Sequence, residues 1–324
     1  MHILLVYNPC AANGRAARTL PRVRELLTAG GMDSEIVLTK APGHATRVVR
    51  VADLSRFDGV VAAGGDGTLF EVVNGYFENR GQRRPPLGVL PVGTGNAFSR
   101  DIGLGTGAVG AAVDLISRGH HRPIDVGRFT TDGQTHHFLN ILGLGFVSDV
   151  GERAGRLKQI GNLSYTVGVL LELVSLSSYR LTIEIDGEVL ERENIFCEIS
   201  NTRYTSNFLM APSASIDDGL LDVTLLGKAS RTRLLRCFPT IFTGEHIHLD
   251  EVETFKAKRI RIETTQPKVL APDGEVYGSS PVEVECLHRA VEFFAPRATQ
   301  HTQMSTPSTL AGASSSRMPG SGSL

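Results

Sequence analysis

Two glycine-rich turns, each placed where an apolar run ends, constrain this chain more than any other feature. "VVAAGGDGTLFEVVNG" spans Val60 to Gly75, and "LGVLPVGTGNAFSR" spans Leu87 to Arg100. In each, a strand-like run breaks into glycine and then takes up a helical pattern. The same rhythm precedes them in "ILLVYN", "GRAARTLPRVRELLTAGG", "SEIVLT" and "HATRVVRVADL". Pro21 in the first helical stretch predicts a kink or a late start there. Strands alternating with helices predict an α/β fold, a doubly wound parallel sheet with helices on both faces. In such sheets ligands gather at the carboxyl ends of the strands. Both glycine turns occupy such ends.

The rhythm changes near Ile124. "PIDVGRFT", "HHFLNILGLGF", "RLTIEIDGEVLE", "ENIFCEIS", "LLDVTLLG", "AKRIRIETT" and "PVEVEC" are strand-like, with few helices between them. Asp186-Gly187 is a two-residue hairpin signal. The expected organisation is an α/β nucleotide-binding domain over residues 1–122 and a β-rich, sandwich-like domain over 123–297. The pattern does not decide whether the last segment returns to the first domain. Residues 298–324 are rich in Ser, Thr, Gly and Pro and are expected to be disordered.

A length of 324 residues suits two domains. With 41% hydrophobic and 21% charged residues, the composition is that of a soluble globular protein. A net charge of −1 supplies no global attraction for nucleic acid, so no such partner is expected. Cys10, Cys197, Cys237 and Cys286 lie far apart, which excludes the C-x-x-C zinc and redox readings and fits a cytoplasmic protein. The start "MHILLVYNPC" reads as a first strand and lacks the features of a signal peptide. "YTVGVLLELVSLSSY", from Tyr165 to Tyr179, is too short for a membrane span and reads as a buried helix.

Gly64-Gly65-Asp66-Gly67-Thr68 and Gly93-Thr94-Gly95-Asn96 have the character of phosphate cradles. Glycine lets a ligand approach backbone N–H groups closely. Neither turn fits G-x-x-x-x-G-K-[ST], so this is not a P-loop. Asp66 would repel a nucleotide unless a metal, a proton or an acceptor hydroxyl lies between them. It also suits a helix N-cap, and the two roles are compatible. "GTGAVG", Gly105 to Gly110, matches a dinucleotide fingerprint with Asp125 about twenty residues on, but no strand precedes it.

"GGDGTLFEVVNG" and "PVGTGNAFSRDIG" resemble the diacylglycerol kinase catalytic-domain family, which includes bacterial lipid kinases, sphingosine kinases and ceramide kinases. "YNPCAANGRA", "GLGFVSDVGERAG", "APSASIDDGLLDVTLL" and "APDGEVYGSSPVEVE" are similar to its other motifs, in the same order, over roughly residues 1–295. The resemblance implies a nucleotide domain facing a lipid-binding domain across a cleft. It also implies transfer of the γ-phosphate of ATP, with Mg²⁺, to the hydroxyl of a membrane lipid. Asn8, Gly64, Gly65, Gly67, Thr68, Thr94, Gly95 and Asn96 would surround the nucleotide. Asp66, Asp273 and Glu275 would be the catalytic carboxylates. The family offers Asp66 and Glu275 as the base; the preferred assignment is Glu275, with Asp66 organising Mg²⁺. Asp217, Asp218 and the Leu220 carbonyl match a structural Mg²⁺ loop of some bacterial relatives, with a solvated hairpin turn as the equal alternative. Peripheral contact with the inner membrane surface follows from a lipid acceptor, and a homodimer stays open.

The chain departs from the family at three places. Ala97 stands where many diacylglycerol kinases carry Asp. Gly151, two residues after Asp149, stands where some sphingosine kinases carry a second acid. "TSNFLM" replaces the usual glycine pair. An NAD kinase-like enzyme with a soluble acceptor is the alternative, although Asn74 is followed by Gly75 and not by the Glu that such enzymes use. A non-catalytic nucleotide or lipid sensor is the other. Two further stretches stay open. "GEHIHLDE" sets His246 and His248 on one face if extended, near Asp250, as a metal site or a solvated strand. "KASRTRLLRCFPTIF", Lys228 to Phe242, reads as a basic helix that lies on anionic lipid or packs on the core.

Overall fold

The computed structural model describes residues 1–145 and 178–296. The Asp149 motif, most of the apolar stretch ending at Tyr179, and the tail from Ala298 lie outside them. The first half alternates as read: β1 (His2–Tyr7), α1 (Arg15–Ala29), β2 (Asp33–Leu38), α2 (His44–Val51), β3 (Gly59–Gly64), α3 (Asp66–Glu78), β4 (Leu87–Pro91), α4 (Ala97–Asp101) and α5 (Val109–Ser117). The strands pair in parallel in the order β2-β1-β3-β4. β3 and β4 are buried throughout and β1 almost so, as continuous apolar runs require. The strand order reverses at β1, with β2 on one side and β3 on the other, so the switch point lies between the carboxyl ends of β1 and β3. α1 begins at Arg15 and runs through Pro21, so the late start does not occur.

The second half comprises β5 (His121–Thr131), β6 (Gln134–Phe138), β7 (Ile141–Gly145), β8 (Tyr179–Ile185), β9 (Glu188–Ser200), β10 (Tyr204–Thr205), β11 (Phe208–Leu209), β12 (Leu221–Gly227), α6 (Arg231–Cys237), β13 (Val252–Ala257), β14 (Arg259–Thr264), β15 (Leu270–Pro272) and β16 (Val282–Phe294). Its pairings are antiparallel. Asp186-Gly187 joins β8 to β9 with φ of 48° and 98°, the backbone a tight hairpin turn needs. Two expected strands merge in β9, which pairs β8 along its first part and β7 along its second. The stretch read as one strand, "HHFLNILGLGF", instead breaks at Leu139 and Asn140 between β6 and β7.

The last segment does return to the first half. β16 pairs β14 and β5, shifts register between Leu287 and Val291, and ends beside β4 with Phe293 opposite Leu87. Phe293 and Phe294 join the core of the parallel sheet. Gly88 makes room for them: a Cβ there would lie 3.0 Å from the Phe294 ring. One buried carboxylate fastens the shift. Asp125 accepts from the Arg289 N–H at 2.7 Å, the Gly219 N–H at 2.6 Å and pairs with His288 Nδ1 at 2.9 Å. The acid of the dinucleotide-like spacing is therefore a fastening for the backbone, and its partner stretch Gly105–Gly110 leads into α5.

Candidate active site

The switch point is built from backbone. Asn8 ends β1; its N–H donates to the Ala63 carbonyl at 2.8 Å and its Nδ2 to Thr68 Oγ1 at 3.1 Å. The Gly93 N–H donates to the Gly64 carbonyl at 2.9 Å, which joins the two glycine turns. A Cβ on Gly93 would overlap Gly65 Cα and lie 2.7 Å from Gly65 N, so only glycine lets the turns stack. Thr94 is exposed at the tip of the second turn. Asn96 holds a φ of 50° and closes that turn by donating from Nδ2 to the Gly93 carbonyl at 2.9 Å. All the residues expected around a nucleotide thus lie along these two turns and the end of β1.

Gly65, not Asp66, is the N-cap of α3. Asp66 is the first helical residue, and its half-buried carboxylate accepts backbone N–H groups of Asn96, Ala97 and Phe98. A Cβ on Gly95 would lie 2.9 Å from Asp66 Oδ2, so glycine clears its path. Burial pushes the Asp66 carboxyl above the usual carboxylate range, and these hydrogen bonds only partly oppose it.

The second carboxylate comes from the other half of the chain. Asp273 follows β15, is buried, and accepts the N–H groups of Leu139, Asn140 and Ile141 at 3.1, 2.8 and 3.0 Å. This explains the break between β6 and β7: the N–H groups there face a carboxylate. Burial, helped by the charge of Asp66 and opposed by the three N–H groups, pushes Asp273 up to about 7. Asn140 links the pair, since its Nδ2 lies 3.4 Å from Asp66 Oδ1. Sequence reading passed over Asn140 because it sits inside an apolar strand pattern.

Glu275 is two residues on, across a turn with φ of 48° at Asp273 and 85° at Gly274. Its carboxylate meets Gly67, where a Cβ would overlap Oε1. Tyr277 holds this loop by packing on Phe70 of α3 and on His136, with ring centroids 5.7 and 4.4 Å apart. Asp66, Asp273 and Glu275 therefore converge, although about 200 residues separate the first from the others.

The rest of the helix is accounted for by packing. Glu71 accepts the N–H groups of Gly43 and Ala45 at 2.7 and 2.9 Å at the start of α2. Asn74 exchanges hydrogen bonds with the His137 backbone at 2.9 Å in each direction. A second tie joins the halves beyond the glycine turn: Arg203 pairs with Asp101 at 2.9 Å, and Arg100 donates to the Ser206 carbonyl at 2.8 Å.

Several expected metal residues lie elsewhere. Asp217 pairs with Arg122 at 2.6 Å, Asp218 pairs with Lys256 at 3.0 Å, and the Leu220 N–H donates back to Asp218. Arg122 and Lys256 thus balance the charge of these two carboxylates. "GEHIHLDE" is no strand: Glu245–His248 forms a 3-10 turn, and buried His246 faces the Met210 carbonyl at 3.0 Å. No cluster of three or more His, Cys, Asp or Glu that could hold a metal occurs among the described residues.

A magnesium ion needs less than such a cluster. It is commonly held by one or two carboxylates and substrate phosphates, keeping several waters. Asp66 would supply the carboxylate, with Asp273 linked to it through Asn140. Asn140 Oδ1 and Asn96 Oδ1, both buried, have no hydrogen-bond partner among the described residues. Two carboxyls pushed up by burial and two orphaned amide oxygens are hard oxygen donors of the kind such a cation takes, so these residues fit the ion.

Comparison with known proteins agrees with this geometry. A model of the diacylglycerol kinase catalytic domain matches residues 2–129, and one of the YegS C-terminal NAD kinase beta sandwich-like domain matches residues 140–295. The chain is 32% identical to a diacylglycerol kinase of Bacillus subtilis over 90% of its length and 96% of that protein's. It is 34% identical to one of Mycobacterium tuberculosis over 90% and 94%. The crystal structure of a diacylglycerol kinase from Bacillus anthracis superposes with a TM-score of 0.75 at 29% identity, covering 92% of this chain and 98% of that one. The chain belongs to the diacylglycerol kinase catalytic-domain family, a family of kinases.

Proposed function

We propose that this protein is an ATP-dependent lipid kinase, transferring the γ-phosphate to the hydroxyl of a membrane lipid. The observation that carries the reading is the convergence of Asp66, Asp273 and Glu275 on the paired glycine turns. The turns present backbone N–H groups to the phosphates, with Asn8 and Asn96 fixing their shape. Mg²⁺, held at Asp66, would neutralise phosphate charge as the phosphoryl group leaves. Glu275 is the better base. It is exposed, and no hydrogen bond or ion pair holds its carboxylate among the described residues. Asp66 is engaged by the N–H groups at the start of α4 and serves to orient.

A membrane surface is the expected workplace. Arg231 and Arg236 are exposed on α6, and Leu235 and Phe242 are each 44% exposed beside them. This mix of cationic and apolar groups suits an anionic lipid surface. Among the described residues no helix is long and apolar enough to cross a membrane.

The test is radiolabelled ATP offered with diacylglycerol, monoacylglycerol, ceramide, sphingosine or phosphatidylglycerol in mixed micelles. A labelled lipid that requires Mg²⁺ is expected; no labelled lipid from any acceptor overturns the reading. Gly67→Ala is a finer probe. Its methyl group would displace only the end of a flexible glutamate, so stability should change by less than about 1 kcal/mol. Turnover should fall roughly 10- to 100-fold because the base is misplaced. Unchanged turnover would remove Glu275 from that role.

A further inference from the structure

A third buried carboxylate lies in the β-rich half, away from Asp66 and Asp273. Glu198 on β9 is 0% exposed. Its Oε1 accepts from Thr205 Oγ1 at 2.7 Å and from Ser200 Oγ at 3.0 Å. Its Oε2 is buried with no hydrogen-bond partner among the described residues. No ion pair involves it among the described residues. Isolated buried charge is strongly unfavourable, and a glutamine would satisfy the same two hydroxyls without it. The fold itself gives no reason for a carboxylate here.

The face that Glu198 occupies does give one. Side chains alternate along a strand, so Phe196, Glu198 and Ser200 share a face while Cys197 and Ile199 enter the main core. Across the sheet, Leu226, Thr224 and Asp222 stand opposite them in the same order. At the apolar end Phe196 clusters with Phe208 and Met210. At the polar end Ser200 stands opposite Ile141, the residue after Asn140, which reaches Asp66. The strand therefore runs from an apolar patch, past one unpaired carboxylate, to the phosphoryl-transfer residues. Two strand residues, roughly 7 Å, separate Glu198 from Ser200 along this line.

We infer that Glu198 is a specificity-determining residue that accepts a hydrogen bond from the acceptor lipid. The donor is a second hydroxyl or an amine carried beside the hydroxyl that is phosphorylated. This rests on the lipid-kinase reading and narrows it. A glycerol esterified at two positions has one hydroxyl, which the transfer uses, and leaves Glu198 unpaired. A monoacylated glycerol or a long-chain amino alcohol supplies the missing donor. Burial pushes Glu198 up to about 7, so an unpaired carboxylate would be half protonated near neutrality, and a bound donor favours its charged form.

Two matched pairs of acceptors test this on the wild-type protein with radiolabelled ATP and Mg²⁺. The first is 1-acylglycerol against 1-acyl-1,3-propanediol, which lacks only the central hydroxyl. The second is sphingosine against its 2-deamino analogue. A site built to pair a substrate donor rejects the analogue without it, so kcat/KM should fall at least about tenfold within one pair. The pair showing the fall identifies hydroxyl or amine as the donor. In Glu198→Leu that ratio should narrow toward one. Equal kcat/KM within both pairs, or diacylglycerol preferred to both parent acceptors, overturns the inference while the lipid-kinase reading stands. No phosphorylated lipid at all overturns the lipid-kinase reading, and the inference with it. If the leucine variant fails to fold, Glu198→Gln, which keeps the two hydroxyl partners and replaces Oε2 by an amide that cannot accept, should narrow the same ratio; an unchanged ratio overturns the inference.

Discussion

Asp66→Asn should lower phosphoryl transfer by about a thousandfold or more, with the fold retained. The carboxylate is the one anionic group placed among the N–H donors of the second glycine turn and the start of α4. Asparagine keeps its shape and can still accept from those N–H groups through Oδ1. It loses the charge that fits Mg²⁺, and it turns an amide toward the Asn140 amide, which now donates to Asp66. Phosphoryl transfer depends almost entirely on positioning and charge neutralisation, so this loss falls on kcat. Binding of ATP without metal should hold or tighten, because a negative charge has left the phosphate cradle. Single-turnover assays with and without Mg²⁺, together with a thermal melt, separate these effects. Wild-type turnover in this variant would remove Asp66 from the reaction.

Asp125→Ala should have the largest effect on stability, about 3–5 kcal/mol, or roughly 10 °C in Tm. Asp125 is 0% exposed and collects donors from Gly219, His288 and Arg289. Alanine leaves the buried Gly219 N–H and the part-buried Arg289 N–H without this partner. It also releases the register shift in β16, which lets that strand leave β14 and reach β4. Asp125→Asn keeps an acceptor oxygen and should lose roughly half as much. Equal melting of the alanine variant and the wild type would mean that the strand holds its shift without the carboxylate.

The parallel sheet was legible because β1, β3 and β4 are buried, apolar runs, and β3 and β4 end in glycine turns. Asp66 stood out for the same reason, as a lone acid among glycines. Glu275 was legible only through the resemblance, since Asp273-Gly274-Glu275 reads locally as an ordinary turn. Asn140 and Glu198 were hidden within strand patterns, "FLNILG" and "IFCEIS", where periodicity counts apolar neighbours and says nothing about what a polar residue faces. Glu71 and Asn74 lie on the helix that follows the first glycine turn, and long-range capping and pairing claim both. "GEHIHLDE" failed as a strand because Gly244, with φ of 79°, starts a 3-10 turn and burial draws His246 inward. The split of β6 from β7 depends on a carboxylate more than 130 residues away, and no local signal reports it.

The path of β16 also bears on how the chain can be made. Its first part completes the β-rich half against β14, and its end closes the parallel sheet beside β4. A ribosome delivers β4 long before Phe293, so the apolar edge of the nascent α/β half waits uncovered through most of synthesis. Cutting the gene between codons 122 and 123 would not free two autonomous modules. The amino-terminal fragment should be sticky, and should become tractable only when the distant strand is supplied in trans.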